Sequence, residues 1–382
     1  TAGKHGDQPV DTGFIVFNYA NYPNLTRIFN ELEVPVTKSS MSFGASLRGG
    51  RLEYGLNGFS AFFAQKKNLA SPRFLNLLRD IFRFNANAVK MVENHPTLTI
   101  GEFMEKMGMG QWFQEYYLLP LTCAIWSTPT RQVTEFPAHA MVRFLKNHGL
   151  LSYDKQHQWY TVVGGSATYV DKMATSLRRM GVRTQLSCAV QAVKRNKAGV
   201  EIKVLGQDWQ SFDEVIFATH SDVSERLLHD ASDEEARLLG DVKYQPNDVV
   251  LHCDRSVMPK REAVWSSWNY IESPAQRDGQ IDLTYWMNSL QPIPLDDPHF
   301  VTLNSNRTIR EELIYDQVTL HHPVYELAAL EAQKGIRAMN GTRGTWFAGA
   351  WMKDGFHEDG LSSGLEVAEA ILAQHPVSMA AE

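Results

Sequence analysis

The segment Thr345-Trp346-Phe347-Ala348-Gly349-Ala350-Trp351-Met352-Lys353-Asp354-Gly355-Phe356-His357-Glu358-Asp359-Gly360-Leu361-Ser362-Ser363-Gly364 reads as a buried strand, a glycine-rich turn and the start of a helix. Leu361, Leu365, Ala368 and Leu372 recur at helical spacing, while Ser362, Ser363 and Gly364 are small enough for the helix to lie close against a sheet or a flat ligand. A helix beginning near Asp359 or Gly360 aims unpaired backbone N–H groups, and the positive end of its dipole, at whatever precedes it. Gly349, Gly355 and Gly360 leave room there for backbone to touch a ligand. Strand, turn and helix alone fit an αβ unit of any doubly wound protein. The glycines and the helix start also fit a cofactor-cradle pattern.

Phe347-Ala348-Gly349-Ala350, followed by Gly355-Phe356-His357-Glu358-Asp359-Gly360 and a helix containing Ser363-Gly364, resembles the C-terminal flavin-binding segment of the flavin-dependent amine oxidase superfamily. That group includes monoamine oxidases, protoporphyrinogen oxidases and phytoene-type desaturases, together with bacterial FAD-binding oxidoreductases of unassigned substrate. The resemblance implies an α/β protein in which a glutathione-reductase-like FAD-binding domain, incomplete at its N-terminus, is interleaved with a mixed-sheet plus helical substrate domain. It puts Gly349 and Ala350 near the FAD ribityl and pyrophosphate. It puts His357, Glu358 and Asp359, with Gly360 and Leu361 after them, where the helix N-terminus faces the pyrimidine edge of the isoalloxazine. A reduced flavin gathers negative charge near N1 and C2=O, which N–H donors and a helix dipole stabilise. Phe356 stands where amine oxidases place a cage aromatic beside the flavin, with Tyr325, Trp268 and Tyr285 as candidate partners.

A chain of 382 residues exceeds the size at which single cores stop growing, so two intimately joined domains are expected. With 43% hydrophobic and 21% charged residues and a net charge of -6, composition is that of an ordinary globular protein; the acidic balance and the absence of a basic run argue against a nucleic-acid partner. Cys123, Cys188 and Cys253 are far apart and never in a C-x-x-C pair, which favours reduced thiols in a cytoplasm over zinc or iron–sulfur sites. The apolar region Phe59 to Val92 is broken by Lys66, Lys67, Arg73, Arg79, Asp80 and Arg83, so it cannot cross a bilayer; no transmembrane segment is expected, and peripheral membrane contact of the chain stays open. Adjacent residues in His321-His322 and in His357-Glu358-Asp359 point in different directions with no matching third ligand, so no metal is expected.

Val10-Asp11-Thr12-Gly13-Phe14 resembles the Asp-x-Gly step that follows the superfamily's first βαβ unit and passes near the flavin, which implicates Asp11, Thr12 and Gly13 in cofactor binding. The G-x-G-x-x-G turn and ribose-binding acid of that unit are not in this sequence; Gly49-Gly50 and Gly164-Gly165-Ser166 do not open such a fingerprint. The chain therefore reads as an N-terminally truncated fragment of a longer protein, short of its strongest FAD pyrophosphate contacts.

Between the two ends, Tyr22 to Leu32 has a helical apolar face, and Met41 to Tyr54 alternates about Gly49-Gly50 as a hairpin. Phe59 to Trp112 follows helical periods, with Thr99-Ile100-Gly101-Glu102 as a capping box, and Tyr116 to Thr122 continues in helix until Ile125-Trp126-Ser127-Thr128-Pro129. Ser166 reads as the N-cap of a helix through Tyr169, Met173 and Leu177. Val182 to Leu186, Ala189 to Lys194, Val200 to Val204 and Glu214 to Thr219 read as strands; in the superfamily the Val190 position often meets the adenine. Further strands are expected at Asp248 to Cys253, Ala263 to Tyr270 and Ile281 to Met287. The FAD domain is assigned to residues 1–38, 159–226 and 339–382, and the substrate domain to 39–158 and 227–338.

Monoamine oxidase-like members carry a lysine on the first strand of the re-entering substrate domain; at that place this chain has Asn247-Asp248-Val249-Val250, and no lysine lies on the strand as read. Trp126, Trp268, Tyr285 and Tyr325 are candidate walls of an apolar cavity between the domains, although most such aromatics pack cores. The function implied is an FAD-dependent oxidoreductase that moves a hydride from a C–H or C–N bond of an apolar small molecule to flavin N5. A non-catalytic flavoprotein-like fragment and an amine oxidase are the alternatives. No G-x-S-x-G elbow or nucleophilic cysteine context is present, and the sequence names no catalytic residue.

Overall fold

The computed structural model describes residues 2–126, 133–151, 157–272 and 282–375. Two compact units divide the chain, one made of residues 1–21, 33–172 and 245–322, the other of 22–32, 173–244 and 323–382.

The first unit is built on a seven-stranded mixed sheet in the spatial order Ile314–Val324, Lys243–His252, Phe300–Leu303, Leu283–Trp286, Trp268–Ile271, Phe43–Leu47, Leu52–Gly55. Trp268–Ile271 runs parallel to Phe43–Leu47, while the described pairs on either side are antiparallel. The expected hairpin forms, with Leu47 opposite Leu52 and Arg48, Gly49 and Gly50 all at positive φ in the turn. Its strands are buried on both faces, Glu53 included. That carboxylate is matched by Ser46 Oγ, the Lys260 N–H and Arg261 Nη1 at 2.9, 2.9 and 2.7 Å, the pairing a buried charge requires.

Helices cover this sheet. Ser71 accepts the Phe74 N–H and Pro72 occupies the first turn of the long helix Pro72–Asn94, whose buried face runs through Phe74, Leu77, Ile81, Phe84, Ala88 and Val92. The Thr99–Glu102 capping box opens Ile100–Lys106 as expected. The next helical run is not continuous, because Pro120 has no N–H and its ring crowds the carbonyl four residues back. The backbone opens into a π-turn at Gln114–Leu118 before the helix Leu119–Trp126, and the Tyr54 hydroxyl donates to the Tyr116 carbonyl.

In the second unit, Val215–Phe217 pairs in parallel with Thr345–Phe347, and Val190–Asn196, Gly199–Val204 and Trp209–Phe212 form an antiparallel meander. Helices Pro23–Glu31, Ser221–Leu227, Asp233–Gly240, Leu327–Met339 and His357–Gln374 accompany them. Arg195, on the meander, is bound by Glu235 at 2.5 and 2.9 Å and by Asp230, and this guanidinium lowers the Glu235 carboxyl to about 2.

Four sequence expectations are corrected. Val182 to Leu186 forms no strand; the segment is exposed, Leu186 by 82%, and no described strand lies beside it. Ala263 to Tyr270 is strand only from Trp268, because Asn269 Oδ1 takes the Ser266 N–H and Ser266 Oγ bonds the Val264 carbonyl, diverting backbone groups into turns. The strand read from Asp248 begins at Lys243, so a lysine does lie on it, at an exposed end where Nζ donates to the Gly240 carbonyl. The last helix starts at His357 rather than near Asp359 or Gly360, since Asp359 folds back to accept the Phe356 N–H at 2.9 Å.

Candidate active site

The strand, turn and helix at the C-terminal end of the second unit come together as the sequence foretold. Ala348 follows the strand Thr345–Phe347, the chain turns through Gly349 and a short 3-10 segment Ala350–Met352, and the helix begins at His357. The Gly349 N–H donates to Ser363 Oγ at 2.9 Å and Ser363 returns a bond to the Gly349 carbonyl at 3.2 Å, so the first helical turns are tied to the strand end. A Cβ at Gly360 would stand 3.4 Å from the Ala350 nitrogen, an ordinary contact, and one at Gly364 would meet open space.

The charged residues of this turn divide their work. Glu358 is buried, and its carboxylate accepts the Asn24 N–H and side-chain amide and the Leu25 N–H at 3.0, 2.8 and 3.0 Å, capping the helix Pro23–Glu31. Asp359 takes the Phe356 N–H, and burial raises its carboxyl to about 6. Burial lowers the neighbouring His357 imidazole to about 4, keeping it neutral. A neutral ring, a turned-away Glu358 and the first turn of an 18-residue helix fit an electron-rich flavin better than an anion-repelling cluster would. Gly349 has a further reason to be glycine, because a Cβ there would lie 2.6 Å from Trp351 Nε1, whose N–H donates to the Thr219 carbonyl at 3.0 Å.

Tyr325 also belongs to this turn, with its ring against Gly355 and its hydroxyl buried without a hydrogen-bond partner among the described residues. Val190 opens the meander, 39% exposed, beside a register shift before Ala192.

Asp11, Thr12 and Gly13 lie in the first unit. The Asp11 carboxylate accepts the Ser166 N–H at 2.9 and 3.0 Å and the Gln291 amide at 3.2 Å, while the Asp11 N–H donates to Gln291 Oε1 at 3.0 Å. It thereby fastens the N-terminal segment to the turn that opens the helix Ala167–Arg179. Trp126 ends the helix Leu119–Trp126, and its side chain lies outside the described residues. Tyr285 faces Trp268 across the sheet, rings 6.2 Å apart, and packs toward the core of Val249 and Leu303.

Of the named aromatics whose side chains are described, Trp268 lines a cavity of about 920 Å³ contained in the first unit, and Tyr285 and Tyr325 do not. Phe43, Phe59, Phe62, Phe63, Phe82 and Tyr117 supply much of its wall, and serine, asparagine, glutamine and His157 side chains its polar points. Among the described residues, none that lines it is Asp, Glu, Lys or Arg. The π-turn forced by Pro120 helps set this wall, since Tyr117 and Leu121 reach it from either side of the proline. Ser267 Oγ donates to the Ser40 carbonyl at 2.9 Å and lies 3.3 Å from Ser42 Oγ, fixing the Ser39–Ser42 edge. Sequence reasoning missed most of these residues; the helical aromatic run Phe59-Ser60-Ala61-Phe62-Phe63 was their one local signal.

Residues 2–281 match the family described as flavin containing amine oxidoreductase. The chain belongs to that family. Solved structures of the same fold include a CLA-producing fatty acid isomerase from P. acnes, 13% identical over 97% of this chain and 88% of that one, with a TM-score of 0.65. Cyclohexylamine oxidase from Brevibacterium oxydans IH-35A is 13% identical over 98% and 90% of the two chains, TM-score 0.62. Wild-type putrescine oxidase bound to putrescine is 14% identical over 96% and 90%, TM-score 0.62. No curated protein matches the chain. As a flavin amine oxidoreductase family member it is an α/β flavoprotein oxidoreductase with a mixed sheet. Among the described residues no helix is long and apolar enough to cross a membrane.

Proposed function

We propose that this protein is an FAD-dependent oxidoreductase acting on a C–H or C–N bond of an apolar small molecule. The observation that carries the substrate class is the wall of the 920 Å³ cavity, which is mainly aromatic and aliphatic and, among the described residues, holds no carboxylate, ammonium or guanidinium. A charged amine entering it would lose hydration without gaining a counter-ion, whereas an acyl or polyene chain gains about 0.8 kcal/mol for each CH₂ it buries. The fold is shared by a fatty acid isomerase and by amine oxidases, so fold leaves this choice open and the lining favours the apolar class.

When bound, the flavin supplies the hydride acceptor. Gly349, Ala350 and the Phe356–Leu361 turn would hold it in the second unit, with Val190 as a further contact there, and neutral His357 would add no proton at the helix N-terminus. The division into an FAD domain of residues 1–38, 159–226 and 339–382 and a substrate domain of 39–158 and 227–338 goes with this reading; every cavity residue except Trp159 falls in the latter.

The test is anaerobic bleaching of the flavin-loaded protein with unsaturated fatty acyl and isoprenoid compounds against primary amines and polyamines. Reduction by the apolar panel is expected. Reduction by amines alone overturns the substrate class, and a protein that takes up no FAD overturns the cofactor.

A further inference from the structure

From Leu56 to Arg79 the chain carries Lys66, Lys67, Arg73 and Arg79 and no acidic residue, against a net charge of -6 for the whole. All four side chains are exposed, and among the described residues no carboxylate pairs with Lys66, Lys67 or Arg73. The same stretch and the helix that follows expose large apolar side chains: Phe59 by 76%, Leu69 by 53%, Leu75 by 44% and Phe82 by 53%. Leu75, Arg79 and Phe82 stand at i, i+4 and i+7 of the helix Pro72–Asn94, which places them on one outward stripe opposite its buried face. Phe59 and Phe82 also line the cavity, so they form its rim.

We propose that this rim, made of the helix Phe59–Phe62, the turn Lys66–Ala70 and the first three turns of Pro72–Asn94, docks on an anionic lipid bilayer. Exposed Phe and Leu with Lys and Arg about them is the chemistry that lies in a headgroup layer: rings and aliphatic chains enter the acyl boundary while cations meet lipid phosphates. A soluble partner of opposite charge would satisfy the lysines and leave the Phe rims wet; a second, net acidic copy would bring its own basic rim against this one. Docking would open the cavity mouth toward the phase in which apolar substrates are held. The surface stands on exposure and charge and does not require the substrate reading to be correct.

Cosedimentation of the purified protein with phosphatidylglycerol/phosphatidylcholine vesicles tests it, with pure phosphatidylcholine vesicles and added salt as comparisons. Binding to the anionic vesicles that weakens with salt is expected. Lys66→Ala with Lys67→Ala should weaken partition about thirtyfold, and Phe59→Ser with Phe82→Ser should remove it, while Arg226→Ala with Arg237→Ala on the other unit leaves it unchanged. Hydrogen exchange on the unmodified protein gives a reading that no variant's folding can confuse, with vesicle-dependent protection confined to residues 59–82. Absence of binding, equal binding to neutral vesicles, protection elsewhere, or a wild-type dimer that the Phe59 and Phe82 changes dissociate would each overturn the proposal. Flavin bleaching is a separate measurement, so a wrong substrate class and a wrong docking surface are distinguishable.

Discussion

One oxygen of Glu358 holds Asn24 twice, accepting its backbone N–H at 3.0 Å and its side-chain amide at 2.8 Å. The other oxygen accepts the Leu25 N–H at 3.0 Å. The helix Pro23–Glu31 thus has an acidic cap supplied from a segment more than three hundred residues away in sequence, since its own N-cap residue, Tyr22, makes no side-chain capping bond.

Glu358→Ala should therefore destabilise the protein by about 2 kcal/mol, the loss of charge-assisted bonds to a buried helix start, and Glu358→Gln by less because one accepting oxygen is kept. Urea midpoints measure the difference. Faster amide exchange confined to the first turn of Pro23–Glu31 would show that the effect is the cap.

His357 and Asp359 should make opposite contributions to stability against pH. His357 has a folded value of about 4, below the ordinary 6.5, so the stability of its neutral form is present above 6.5 and lost as pH falls toward 4. Asp359 has a folded value of about 6, above the ordinary 3.8, so its contribution is present below 3.8 and lost as pH rises through 6. Between pH 4 and 6 the two slopes, each at most about 1.4 kcal/mol per pH unit, oppose one another. Asp359→Asn should unmask a stability that rises with pH across that window, and His357→Gln one that falls; denaturant midpoints of the two variants moving in the same direction would contradict this.

Gly355→Ala should be costly twice, because Gly355 sits at φ 93° and a Cβ would overlap the Tyr325 hydroxyl. Tyr325→Phe alone should be near neutral or stabilising, since it removes a buried hydroxyl with no partner among the described residues. The double variant should recover part of the Gly355→Ala loss, an interaction of about 1 kcal/mol in a double-mutant cycle. Strict additivity would show that backbone strain, and not the contact, sets the cost.

Tyr54→Phe should loosen the π-turn. It removes the hydroxyl that donates to the Tyr116 carbonyl, which Pro120 leaves without its usual helical donor, at a cost of about 1–3 kcal/mol. Amide exchange should rise in residues 114–126, and affinity for an apolar ligand should fall because Tyr117 and Leu121 line the cavity.

The outcome at particular residues shows where sequence reasoning holds. Thr99 and Glu102 satisfy each other within three positions, and Arg48-Gly49-Gly50 turns a hairpin within four, so both were readable from spacing and residue type. The alternation of Val182 to Leu186 has the same local appearance as a strand, yet a strand needs a neighbour to accept its backbone bonds, and no described strand lies beside it. Gly349 read as room for a ligand, and the ring of Trp351 is part of what that room accommodates.

By itself the sequence determined the strand–turn–helix at the C-terminal end, the family, the capped helices and the uncharged, apolar character of the region from Phe59 onward up to its basic interruptions. These follow from propensity, capping and hydrophobic period, which act between residues a few positions apart. Only the tertiary structure decided that Glu358 serves a distant helix and that Asp11 clamps Ser166 and Gln291. It also decided that of Trp268, Tyr285 and Tyr325 only the first walls the cavity. A carboxylate goes to whichever desolvated donors the packed chain presents, and a cavity wall is gathered from segments far apart in sequence, so neither leaves a periodic or spacing signature to read.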